Sequence, residues 1–368
     1  MAKMIGVIAP GGMTFESLFA APCPWYAPGV AERAEYLIKQ YMAHEGFTFV
    51  DAENENFSAS ECIAIIHWSR INKELLYKVP KVLHIYLAHE PHLSRTYNLK
   101  AGMDQLSRVL DYILSIYVDA ANEQKGIYVT PGYYNFDVRF SPAIQSPKYL
   151  LATVSGDKDA ILPKELYTAR REVIDWFEKN RPDLFRFYGS GWSEKYKRYK
   201  TYGGPAKCKL ACLSEATFSL CFENVRDQQG YITEKLFDGM NAGTVPVYWG
   251  GKDVFKWIPK DLFVDYRQFN TPEALFNGLI AMQKEEVQSY LERIHTWLHS
   301  ENKDIFSWEN TAQNLIECIS RGKRAHPMAI DYTFMCVQFK ISGILATANN
   351  YKHNKRIEKE QKEISVTD

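Results

Sequence analysis

The chain lacks a surplus of either charge: 44 Lys and Arg stand against 44 Asp and Glu in 368 residues. A nucleic-acid binder carries a basic excess on at least one face, so no nucleic-acid partner is expected. Also missing is any apolar run approaching the about 20 residues that span a bilayer, so no membrane helix is expected. Cysteine is sparse: seven are scattered along the chain (Cys23, Cys62, Cys208, Cys212, Cys221, Cys318 and Cys336), with no secretory apolar segment. That pattern points to a reduced, cytosolic setting and away from a disulfide framework. Cys208 and Cys212 form one close pair, but no second Cys or His pair stands near enough to complete a zinc site. What remains is an ordinary globular composition, 46% hydrophobic and 24% charged, with length for two domains.

Apolar runs at 4–9, 62–68 and 82–87, with a helical pattern between 30 and 44, predict an N-terminal α/β unit with a parallel sheet. Pro10-Gly11-Gly12 lacks the full dinucleotide pattern and reads as a strand-ending turn. A Pro- and Gly-containing connection at 130–146 precedes a fresh strand at 148–155, which places a domain boundary near 145. Helical patterns at 272–299 and 306–320 are expected to cover the second sheet. A last helix from Ala329 to about Glu363 begins apolar, suited to docking across the domains or on a partner, and ends as a charged, solvated tail. Asp157-Lys158-Asp159 matches a short metal-binding pattern, but after its Ser-Gly turn it reads as a solvated loop.

Residues 218–251 hold the densest chemistry. A buried strand at 218–222 delivers Glu223 and Asn224 to its carboxyl end, where ligands bind in open α/β sheets. Thr233 is placed to cap a helix through Met240 that stops at Gly243, with Glu234 and Lys235 in its first turn. A Lys there sets positive charge at the positive end of the helix dipole, a conflict that a bound anion would remove. The strand at 244–249 ends in Gly250-Gly251, which would let backbone approach a ligand. Pattern alone reads equally as a nucleotide-diphosphate site or as a plain βαβ unit with a polar rim.

This segment resembles the donor-binding signature of the α1,3/1,4-fucosyltransferases that use GDP-fucose, through CFEN (221–224), GYITEK (230–235) and VPVYWG (245–250). Weaker similarity reaches upstream to Lys81. The resemblance implies an inverting enzyme with an α/β GT-B fold: two Rossmann-like domains facing a cleft, with a C-terminal helix. Domains are expected at 1–145 (acceptor), 146–330 (GDP-fucose) and 331–368 (helix and charged tail).

By the same resemblance Asn224, Tyr231, Glu234 and Lys235 contact the donor, with Glu234 on ribose hydroxyls and Lys235 on the diphosphate. Arg170 would add a second phosphate contact. Glu223 is expected, from its position only, to shape the fucose pocket. Glu90, on a loop after the strand at 82–87, is the expected catalytic base. The family carries Glu-Ser/Thr-Pro there, whereas Glu90 meets Pro91 directly, which puts the geometry and acceptor choice in doubt. The flanking His89 and His92 read as surface histidines, with a role as base or as hydrogen-bond partner of the carboxylate as the alternative. Trp25, Tyr26, His67, Trp68, Tyr133 and Tyr134 line an acceptor groove or belong to the core. Glu223 and Glu234 stand eleven apart, unlike the closer pair of retaining GT-B enzymes.

No metal ligand or obligatory cofactor is expected, with Mn or Mg left as stimulants. The expected partners are GDP-fucose and an oligosaccharide, with peripheral membrane contact at the inner membrane and a homodimer left open. Animal members of the family usually carry an N-terminal anchor; with none in this sequence, the expectation is a bacterial or viral type of enzyme working from the cytosol, or else a trimmed chain. The alternatives are a transferase for another GDP-sugar and a non-catalytic nucleotide-sugar binder.

Overall fold

The computed structural model describes residues 3–21, 32–93, 95–138, 147–324 and 332–367. Trp25, Tyr26, Cys23, the boundary near 145 and the start of the last helix at Ala329 lie outside these residues, as does the Cys336 side chain.

Eleven strands form two all-parallel sheets. The first contains β1 (Lys3–Ile8), β2 (Phe47–Asp51), β3 (Cys62–Trp68), β4 (Leu83–Ala88), β5 (Tyr112–Ser115) and β6 (Ile127–Val129), in the order β2-β1-β3-β4-β5-β6. The second contains β7 (Tyr149–Val154), β8 (Phe185–Tyr188), β9 (Ala216–Phe222), β10 (Val245–Trp249) and β11 (Val264–Asp265), in the order β11-β10-β9-β7-β8. Strands covered on both faces read as continuous apolar runs, and β4 is buried at all six positions. In β9 Phe218 pairs with both Leu151 of β7 and Val245 of β10, which fixes the middle of the second sheet.

In each sheet the chain reverses direction beside the strand it laid first, between β1 and β3 and between β7 and β9. The crevice outside the strand ends at such a switch point is where doubly wound sheets bind ligands. Both sheets are Rossmann-like, and side chains from the two domains line one cleft between them.

Three expectations are corrected by the packing. The pattern at 272–299 is two helices, Pro272–Ala281 and Lys284–Leu298, because Met282 and Gln283 adopt extended backbone. Helix Trp308–Arg321, expected over the second sheet, returns to the first. Its Ala312, Leu315 and Cys318 join Ile5, Ile38 and Met42 in one core, and a fully buried Leu contributes about 1.5–3 kcal/mol. The return is stitched by backbone bonds from Tyr134 N to Phe306 O (2.7 Å) and from Trp308 N to Tyr134 O (3.1 Å).

The third correction concerns helix Tyr332–Thr367. Its charged end is docked, not solvated. Asn349 Nδ2 donates to Leu93 O (3.2 Å) in the first domain, while its Oδ1 accepts from Ile161 N (2.8 Å) in the second. Further along, Glu360 is 7% exposed and accepts from Ser193. Charges at helical spacing mark one face but do not say whether that face meets water or a complementary cluster.

Candidate active site

The cationic side of the cleft forms at the β7/β9 switch point. A cavity of about 660 Å³ is lined by Ser155 and Gly156 after β7, by Phe222 and Asn224 after β9, and by Tyr167. Among the described residues, four cationic side chains line it (Lys158, Arg170, Lys209 and Lys235) against one carboxylate, Glu234. That balance suits an anion.

Helix Glu234–Asn241 holds the centre. Thr233 caps it, accepting from Lys235 N, and the buried Leu236, Phe237 and Met240 anchor it to the core. Gly243, at φ 72, ends it with its N–H on Met240 O. Beneath the first turn, Glu223 is fully buried and accepts from Thr233 N and Oγ1, both at 2.7 Å. Lys235 Nζ lies 3.5 Å from Glu223 and 3.2 Å from Glu234. The Glu234 side chain is half exposed, and Lys235 and Lys209 hold its carboxyl at about 2. Burial alone would lower Lys235, but Glu234 and Glu223 push it above its ordinary value.

Two expectations change here. Glu223 has no exposed surface with which to shape a fucose pocket; it positions the helix start and Lys235 from below. The dipole conflict at Lys235 is met within the protein by two carboxylates, so it does not by itself require an anion. Gly250-Gly251 is also reassigned. A Cβ on Gly250 would lie 2.5 Å from Glu223 and 2.3 Å from the Tyr248 hydroxyl, so glycine there admits Glu223 and Tyr248, not a ligand.

Arg170, in helix Tyr167–Asn180, is buried and donates to Phe222 O (2.8 Å) and Glu223 O (3.3 Å) while facing the donor cavity. Burial brings its guanidinium below the ordinary value. Arg171 faces the opposite way into Asp157 and Asp159, which separates the two neighbours by role. Those aspartates are buried, so Asp157-Lys158-Asp159 is not a solvated loop. With His353 they have the ligand types of a metal site, but Arg171 and Arg356 already occupy the carboxylate oxygens. Burial would raise Asp159; Arg171, Arg356 and His353 bring it lower instead. A divalent cation would have to displace two guanidiniums, and the residues do not fit one.

A second cavity, of about 410 Å³, opens between the domains. From the second domain it is lined by Asn224, Tyr231, Glu234 and Lys235, and from the first by Glu90, His89, Tyr133 and the start of helix Ala34–His44. Asn224 Nδ2 lies 3.5 Å from the Tyr231 hydroxyl. Tyr231 is buried in a cluster shared with Ile116, Tyr117 and Tyr167. The turn before it requires glycine: Gly230 has φ 74, and a Cβ there would meet Ile116 O at 2.1 Å. The structure therefore brings Asn224, Tyr231, Glu234 and Lys235 to the same cavity as Glu90.

Glu90 follows β4 with its side chain exposed, while its backbone carbonyl is fixed by Asn98 Nδ2 (2.8 Å) and the Tyr117 hydroxyl (2.7 Å). Its histidine neighbours are not surface residues. His89 packs on Tyr133 with ring centroids 4.8 Å apart, and burial pushes its imidazole down to about 3. Burial also lowers His92. A His89 imidazole lowered this far adds no cation beside Glu90. Of the aromatic candidates, Tyr133 and Tyr134 line the cavity. His67 and Trp68 are fully buried in the first sheet.

Sequence reasoning missed Lys209, on the short helix Lys209–Leu213, which faces the donor cavity and is paired with the buried Asp238. It also missed Arg33 and Glu35 at the acceptor side, an ion pair at 3.1 Å. Neither lies in a recognisable motif; only an i,i+2 opposite-charge pair at a helix start marks the second.

Two Rossmann-like domains around a cleft, with a cationic site in the second, define the class of GT-B glycosyltransferase folds. An α1,3-fucosyltransferase structure with GDP-fucose superposes over 89% of this chain and 93% of that one, with TM-score 0.55 and 15% identity. Anabaena HepE in complex with UDP-glucose superposes over 87% of this chain and 100% of that one, with TM-score 0.53 and 11% identity. Residues 173–326 match the family model of the glycosyltransferase family 10 (fucosyltransferase) C-terminal region. An α-(1,3)-fucosyltransferase of Helicobacter pylori is 41% identical over 76 residues, 20% of this chain and 16% of that protein. The 4-galactosyl-N-acetylglucosaminide 3-α-L-fucosyltransferase 9 of Bos taurus is 26% identical over 155 residues, 37% of this chain and 43% of that protein. The matched regions thus span less than half the length of these relatives. Among the described residues no helix is long and apolar enough to cross a membrane.

Proposed function

We propose that the protein transfers L-fucose from GDP-β-L-fucose to a sugar hydroxyl with inversion, giving an α1,3-fucoside. The observation that carries this reading is the shared cavity, in which an exposed carboxylate on the first domain faces the Asn224, Tyr231, Glu234 and Lys235 set on the second. The acceptor hydroxyl oxygen attacks the anomeric carbon of fucose as Glu90 takes its proton. The bond from that carbon to the phosphate oxygen breaks, and its electron pair leaves on GDP. Arg170 and Lys235 meet the charge that develops on the diphosphate, where fixed cations in a water-poor site act most strongly. Glu234, ionised at neutral pH, accepts hydrogen bonds from ribose hydroxyls, and Asn224 and Tyr231 hold the remainder of the donor.

The acceptor is an N-acetyllactosamine-like glycan, reacting at O3 of its N-acetylglucosamine. Support comes from the bovine relative, whose name specifies a galactosyl-N-acetylglucosaminide, and from Tyr133 at the acceptor wall, since aromatic faces suit sugars. The cation set needs no divalent metal for leaving-group stabilisation. The test is purified protein with GDP-fucose and N-acetyllactosamine, with EDTA present and absent. A product heavier by one deoxyhexose, formed equally in EDTA, is expected. GDP-fucose binding without turnover on any glycan would make the protein a nucleotide-sugar binder instead.

A further inference from the structure

The loop from Asp157 to Ile161 is held by two helices. Arg171 donates to Asp157 (3.1 Å), to Asp159 (2.7 Å) and to the Lys158 carbonyl (2.6 Å). From the C-terminal helix, Arg356 donates to the other oxygens of Asp157 (2.6 Å) and Asp159 (2.9 Å). One turn earlier, Lys352 Nζ donates to Ala160 O (2.8 Å), and Asn349 takes the Ile161 N–H. Both acidic side chains and three backbone groups of five consecutive residues are thus fixed from two helices.

Lys158 is the exception. It is exposed between two buried aspartates and makes no side-chain hydrogen bond or ion pair among the described residues, yet it lines both the donor cavity and the interdomain cavity. Lys209 and Lys235 each have carboxylate partners, and Arg170 has two carbonyls. An unpaired ammonium added to three such cations raises repulsion that an anion between them would relieve.

We propose that Lys158 is a further donor-binding residue, whose ammonium meets the outer phosphate of the nucleotide diphosphate where the two cavities join, with the C-terminal helix as the clamp that presents it. This rests on the GDP-sugar reading above. The outer phosphate gains charge as the sugar departs, so the contact strengthens toward the transition state.

The test is calorimetric titration of the full chain with GDP and with GMP, which lacks the outer phosphate. Lys158→Gln is expected to weaken GDP about 10-fold, the scale of one hydrogen bond to a charged group, and to leave GMP unchanged. Lys158→Arg should recover most of the loss. Arg356→Gln should weaken GDP in the same direction and add little to Lys158→Gln, since both act through one contact. Unchanged GDP affinity in Lys158→Gln, or an equal loss for GMP, overturns the proposal alone. Wild-type protein that binds neither nucleotide overturns the donor reading and this proposal with it.

Discussion

The two walls of the cleft are built on opposite plans. On the second domain almost every charge is paired and fixed: Lys235 sits between Glu223 and Glu234, Lys209 on Asp238, and Arg170 on two strand-end carbonyls. On the first domain Glu90 is exposed, burial lowers the imidazoles of its histidine neighbours, and the surroundings include aromatic rings. A rigid cationic frame suits a ligand whose charge pattern does not vary. An exposed carboxylate on a backbone-fixed loop suits a proton transfer that must accommodate different hydroxyls.

The sharpest test of that contrast is Glu90→Gln. Loss of general-base catalysis costs about 10²–10⁴-fold in kcat, whereas GDP-fucose affinity should stay within twofold, because the donor frame is on the other wall. A large loss of donor affinity in this variant would break the division of labour. The next effect is Glu223→Ala, which leaves Lys235 and the Thr233 N–H without their buried partner. Breaking one partner of a buried ion pair costs about 3–5 kcal/mol. The result should appear as a lower Tm together with weakened GDP binding. Activity lost with Tm and GDP affinity intact would instead put Glu223 in contact with the sugar.

A comparable effect belongs to acid. His67 is fully buried in β3, with its Nε2 3.0 Å from His84 Nδ1 and its Nδ1 accepting from Asn72 N. Burial, with His84 and Arg70 adding to it, lowers its imidazole well below the usual value, and burial brings His89 to about 3. Both groups bind protons more readily when unfolded. Their stability is therefore complete above about pH 6.5 and falls as pH drops, by about 1.4 kcal/mol per unit for each neutral imidazole. Thermal melts from pH 7.5 to 5 should show it; a flat Tm across that window would mean that the strands behind Glu90 tolerate charge.

The same contrast explains what could be read in advance. The cationic wall comes largely from one stretch, 218–251, where strand, cap and helix start are local, so spacing alone places Glu223, Asn224, Glu234 and Lys235 at one strand end. The acceptor wall is gathered from residues near 33, 90, 116 and 133, and no local pattern joins them. Arg170 and Arg171 look alike in sequence. Only their neighbours, two carbonyls for one and two aspartates for the other, separate their roles.

By itself the sequence determined the local chemistry: the two parallel sheets, written in continuous apolar strands; the cap at Thr233; and the carboxylates and cations at strand ends. Tertiary structure alone decided which charges would meet. It buried Glu223 under the helix it caps, returned helix Trp308–Arg321 to the first sheet, and drew the charged end of the last helix onto Asp157 and Asp159. The physical reason is that backbone propensity and apolar periodicity act over a few residues. The worth of a charge depends on its partners and its exclusion from water, and those are assembled from segments far apart in the chain.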